Sequence, residues 1–77
     1  MSSRTAIVTG AARGIGLATA KLFLSEGVSV AMVDRDAPAL EDAARDLGDV
    51  LPLPYDVSKP GEVAAMVAET VARFETS

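Results

Sequence analysis

Three glycines within seven residues, Gly10, Gly14 and Gly16, stand between a short apolar run and a segment rich in Ala and Leu. The spacing Thr9-Gly10-x-x-x-Gly14-Ile15-Gly16 sets the start of a helix directly after a strand. There the unpaired amides around Gly14, Ile15 and Gly16 can converge on an anion such as a diphosphate. Gly10 lets the strand turn sharply, Gly14 keeps side-chain atoms out of the path of the phosphates, and Gly16 permits close packing of helix on strand. Arg13 can reach a phosphate, or stay in solvent. A turn with no ligand is the alternative, but three glycines exceed what such a connection needs. The pattern differs from the phosphate loop of mononucleotide kinases, because Ile15 and Gly16 stand where that loop requires Gly and Lys.

A carboxylate completes the picture. Asp34 ends the next apolar run, about 20 residues after the glycines, where such a group accepts the two hydroxyls of an adenosine ribose. A phosphate on the 2′-hydroxyl would meet like charge: at ~4 Å and an effective dielectric of 20, the repulsion is about 4 kcal/mol. NAD is therefore favoured over NADP, although Arg13 and Arg35 each supply a guanidinium that can swing onto a 2′-phosphate. Asp56 and Val57 follow a third apolar run, where an acceptor side chain and a backbone amide can face the edge of an adenine.

Composition removes other classes of function. The 77 residues contain neither histidine nor cysteine, so the commonest metal ligand and general base are absent, and no metal site is expected. Seven basic residues against eleven acidic ones leave a net charge of −4, which offers no surface for nucleic acid or an anionic membrane. Met1-Ser2-Ser3-Arg4 runs straight into a strand with no leader-like core, and no apolar run approaches the ~20 residues of a membrane span. A soluble, cytoplasmic chain is expected.

The elements that must position these groups follow from periodicity. Residues 5–9 and 28–33 read as strands covered on both faces, and residues 15–25 between them as a helix stopped at Glu26-Gly27. Asp36 can cap a second helix with Pro38 in its first turn and Gly48 at its end. Residues 50–53 form a third strand, which Pro52 and Pro54 assign to an outer edge. Ser58 is the expected cap of a last helix that turns Val63, Met66, Val67, Thr70 and Phe74 to one face. The sum is β-α-β-α-β-α, one α/β domain over residues 1–77: a three-layer parallel sheet, and half of a Rossmann-type fold.

The glycine motif, Asp34 and the Asp56-Val57 pair together resemble the short-chain dehydrogenase/reductase family over nearly the whole chain. The resemblance implies an NAD(P)-dependent oxidoreductase acting on alcohols or carbonyl compounds, with this chain matching about the first third. It assigns Gly10, Arg13, Gly14, Ile15, Gly16, Asp34, Asp56 and Val57 to cofactor binding. The family's Asn-Ala-Gly segment, catalytic Ser and Tyr-x-x-x-Lys pair belong to later parts of the fold, so no catalytic residue is expected here. Tyr55 and Lys59 reproduce the Tyr-x-x-x-Lys spacing, but the residues before Pro54 and Pro60 are biased away from helix, so the two side chains should not converge. With strand order 3-2-1 and no fourth strand, residues 5–9 become an open edge for self-association or for a missing carboxyl-terminal half. An adenine-dinucleotide module without turnover and a self-associating structural fragment are the other readings.

Overall fold

A computed structural model describes residues 4–74; Met1-Ser2-Ser3 of the leader reading and the last residues, 75–77, lie outside the described part. The elements run β1 (Thr5–Thr9), α1 (Gly14–Ser25), β2 (Ser29–Val33), α2 (Ala37–Leu47), β3 (Leu51–Leu53) and α3 (Pro60–Phe74). Both strand pairs are parallel, in the order β1-β2-β3, as crossover helices of this length require.

Three layers result. On one face, α1 and α2, the latter through Leu40, close over Val8, Val30, Met32 and Val50. On the other, α3 brings Met66 and Val63 against Ala31, Val33 and Leu53. The central strand is sealed on both sides: Val30, Ala31, Met32 and Val33 are wholly buried. This is why β2 reads as an unbroken apolar run instead of an alternating one.

The boundaries shift where local hydrogen bonding competes with the ladder. Val28 is not in β2, because its amide donates to the Phe23 carbonyl in the turn that ends α1. Val50 likewise turns its amide onto Gly48, so β3 starts at Leu51. Asp36 caps α2 as expected, its carboxylate accepting from the Ala39 amide, and Pro38 lies in the first turn.

Two expectations for α3 are corrected. Ser58 does not cap it: the Ser58 amide and hydroxyl both donate to the Asp56 carboxylate. The helix begins at Pro60, with the Lys59 carbonyl accepting its first bonds from Glu62 and Val63. Val67 is 45% exposed, because α3 lies over β2 and β3 and buries the stripe through Met66 and Thr70, one step round the helix. Among the described residues, no helix is long and apolar enough to cross a membrane.

Candidate functional site

The chain leaves β1 at Thr9 and enters α1 at Gly14. Arg13, extended at the cap position, makes no side-chain cap bond. The amides of Gly14, Ile15 and Gly16 begin the helix, and the first turn of an α-helix has no internal acceptors to offer them. Gly14 holds φ at +61°, and a Cβ added to it would meet no atom within 4 Å. Its backbone therefore requires glycine for conformation, and the space beside it is open. Gly16 differs: it needs room, because it is pressed on the Gly10 carbonyl.

Asp34 lies just past β2 and fastens the loop. One carboxylate oxygen accepts from the Ala12 amide at 3.1 Å, and the other accepts from the Asp36 amide at 3.0 Å. The Ala11 amide donates to the Val33 carbonyl at 3.0 Å, so the glycine loop is stitched to the end of β2 by backbone and side chain together. The double tie was not legible in the sequence, since nothing local links residues 22 positions apart. The Arg13 side chain, 69% exposed, donates from its guanidinium to the Asp36 carboxylate. The Ala39 amide and then the Arg13 guanidinium hold the Asp36 carboxyl below its usual range.

Gly10, Val33, Asp34, Arg35, Tyr55, Asp56, Val57 and Ser58 line one cleft of about 320 Å³, at the small end of the range for ligand sites. The topology makes this cleft: the ends of β1, β2 and β3 lie side by side in a parallel sheet, and their following loops converge at the carboxyl edge. Gly10, Asp34, Asp56 and Val57 are thereby brought together. Arg13, Gly14, Ile15 and Gly16 sit outside that lining, at the adjoining start of α1.

Asp56 is locked by its neighbours. Its carboxylate accepts from the Ser58 hydroxyl and amide, which lower its pKa ahead of the charges of Lys59 and Arg35. Its amide donates to the Glu62 carboxylate at 2.8 Å. Val57 is 49% exposed at the rim. Tyr55 and Lys59 each have another partner: the Tyr55 hydroxyl donates to Glu69, which raises the phenol pKa, and the Lys59 ammonium lies 3.7 Å from Glu62. The Tyr55 to Glu69 bond was not anticipated; Glu62 and Glu69, seven residues apart and both neighbours of Met66 on the surface of α3, were the available clue.

A family model described as short chain dehydrogenase matches residues 4–76. The chain is 44% identical over 77 residues to a 2-(R)-hydroxypropyl-CoM dehydrogenase of Xanthobacter autotrophicus, covering 94% of this chain and 31% of that protein. Among solved structures, it matches a 3-ketoacyl-(acyl-carrier-protein) reductase from Brucella melitensis complexed with NADH. There the TM-score is 0.90 and the identity 36%, over 95% of this chain and 30% of that one. An L-sorbose reductase from Gluconobacter frateurii, complexed with NADPH and L-sorbose, matches with a TM-score of 0.87 and 37% identity, over 96% of this chain and 30% of that one. The chain thus spans less than a third of the length of each of these relatives.

Proposed function

Because this chain belongs to the short chain dehydrogenase family, we propose that it holds the adenosine end of a nicotinamide dinucleotide in an oxidoreductase. The observation that carries this reading is the meeting of Gly10, Asp34, Asp56 and Val57 in one cleft beside the start of α1. The residues fit such a group: the helix start offers amides to an anion, the space at Gly14 is open, and an acidic group stands at the end of the second strand.

In this reading the amides of Gly14, Ile15 and Gly16 hold the diphosphate, while Arg13 stays paired with Asp36 beside them. Asp34 accepts the ribose hydroxyls through lone pairs left over from its two loop bonds. Asp56 and Val57 face the adenine edge, and Val33 with Tyr55 supplies apolar wall. Domain assignment follows: residues 1–77 form part of a dinucleotide-binding domain. When bound, the dinucleotide supplies a hydride donor or acceptor for interconverting an alcohol and a carbonyl compound. Nothing in this chain is assigned to touch that substrate.

NAD is proposed over NADP. Relatives include a reductase complexed with NADH and another complexed with NADPH, and the preference rests on Asp34 in the cleft with Asp36 beside it. The cytoplasm remains the expected compartment. β1 is paired with β2 alone among the described residues, and Ile7 is 38% exposed. That edge supports pairing with a second copy or with the remainder of a longer polypeptide.

The test is a titration of the chain with NAD and NADP followed by NMR. Shifts confined to the amides of 10–16, 34 and 56–57, with tighter binding of NAD, are expected, together with no hydride transfer by the chain alone. Saturating NAD that moves none of these amides overturns the cofactor reading. NAD-dependent alcohol oxidation by the chain alone overturns the assignment of catalysis elsewhere.

A further inference from the structure

The ion pair between Arg13 and Asp36 joins two segments already fastened to a common carboxylate. Ala12, the residue before Arg13, donates its amide to one oxygen of Asp34, and Asp36 donates its own amide to the other. Asp36 is fixed a second time by accepting from the Ala39 amide at 3.3 Å, as the cap of α2. The Arg13 guanidinium, 2.5 Å from the Asp36 carboxylate, is therefore tied to an anchored acceptor, although its side chain is 69% exposed. Arg35, between Asp34 and Asp36 in the chain, lines the cleft itself.

Resting on the cofactor reading above, we propose that Asp36 is a specificity-determining positioning residue: it holds Arg13 against the start of α2, away from a phosphate on the ribose 2′-hydroxyl. The chain carries a guanidinium of the type that recognises a 2′-phosphate, and binds it to a carboxylate at the second residue after the ribose-facing Asp34. To serve a 2′-phosphate, Arg13 must leave Asp36. The cost of that exchange falls on the phosphorylated cofactor alone, which turns a potential NADP contact into a bias toward NAD.

Asp36→Asn removes the charge and keeps a side-chain oxygen for the cap. The probes are ADP-ribose and its 2′-phosphorylated counterpart, which share every group except the phosphate and lack nicotinamide. Titrations followed by NMR are run on the unsubstituted chain, on Asp36→Asn, on Arg13→Gln and on the double variant. An exposed ion pair of this kind corresponds to a gain of about two- to fivefold in affinity for the 2′-phosphorylated probe in Asp36→Asn, with ADP-ribose unchanged. The gain is expected to vanish when Arg13 is Gln.

A gain that persists in the Arg13→Gln background would assign the effect to the general field of Asp36 and overturn the proposal; so would the absence of any gain. The Arg13 side-chain N–H resonance of the free chain gives a separate readout. If Asp36→Asn leaves it unmoved, the positioning role falls while the cofactor reading stands. If ADP-ribose fails to bind the unsubstituted chain, the cofactor reading falls and the specificity role with it.

Discussion

Gly16 stands so close to Gly10 that a Cβ at Gly16 would lie 2.0 Å from the Gly10 carbonyl oxygen and 2.6 Å from its carbon. Both obstacles are backbone, which no rotamer change can clear. The contact brings the start of α1 onto the end of β1 and so sets where the helix amides lie. Gly16→Ala is expected to destabilise the fold by about 2–3 kcal/mol, read as a lower urea midpoint at constant slope. A loss within measurement error would mean that the loop yields freely.

Gly14 responds differently, since its surroundings are open and only its backbone is constrained. Gly14→Ala should cost about 1–2 kcal/mol for the left-handed conformation. Gly14→Val adds bulk over the helix start, so it is expected to weaken NAD binding well beyond its effect on stability. Comparing a binding titration with urea melts of both variants checks this. Normal NAD affinity in Gly14→Val would favour a loop that serves only as a turn.

Asp34→Ala removes the carboxylate that joins the Ala12 amide of the glycine loop to the Asp36 amide, and leaves the Ala11 to Val33 backbone bond in place. A stability loss of about 1–2 kcal/mol is expected for two part-exposed bonds to a carboxylate, with faster hydrogen exchange at the Ala12 amide. In a paired titration the preference for NAD over NADP should narrow. An unchanged preference would take Asp34 out of the ribose site and leave it as a structural latch.

Acid should loosen the chain in a defined window. Asp36 is held below its ordinary value of 3.8 by the Ala39 amide and Arg13, and Asp56 below the same value by the Ser58 hydroxyl and amide. The unfolded chain takes up these protons near pH 3.8 while the folded chain stays charged. The stabilisation is therefore present above that pH and is lost as pH falls through the lower folded values. Asp56→Asn should flatten the acid limb of a stability profile measured by circular dichroism; an unaltered limb would show that the Ser58 bonds contribute nothing there.

At the alkaline end, the bond to Glu69 raises the Tyr55 pKa above 10.0. The unfolded phenol loses its proton first, so the stabilisation is complete below pH 10.0 and disappears as pH rises through the folded value. Tyr55→Phe is expected to remove this part of the alkaline decline, and phenolate absorbance at 295 nm follows it directly. Titration of Tyr55 at its ordinary value would rule the contact out in solution.

Much of the architecture was open to reading from residue order. Strand β2 is apolar at nearly every position because both faces are covered, α2 carries its cap and stop in Asp36 and Gly48, and the prolines around β3 mark an edge that the sheet order bears out. These features depend on neighbours a few residues apart, for which backbone sterics and the hydrophobic period suffice. The errors came where several local partners compete for one group. Ser58 had a carboxylate two residues before it as well as a helix after it, and the nearer acceptor won. Val67 belonged to a helical stripe whose width only the position of α3 over β2 and β3 could define.

The glycine spacing and the acidic residue at the second strand end are properties of residue type and separation, and they already mark a strand-turn-helix-strand unit of an α/β fold. Folding alone decided what each charge does there. Asp34 clasps two loop amides, Arg13 is taken up by Asp36, and Tyr55 by Glu69. Ala12 and Asp34, 22 positions apart, and Arg13 and Asp36, 23 apart, meet because β1 and β2 end together at one edge, whereas Tyr55 meets Glu69, 14 positions on, because α3 folds back over β3. A side chain's hydrogen-bond partner is set by distance in space, which spacing along the chain does not encode.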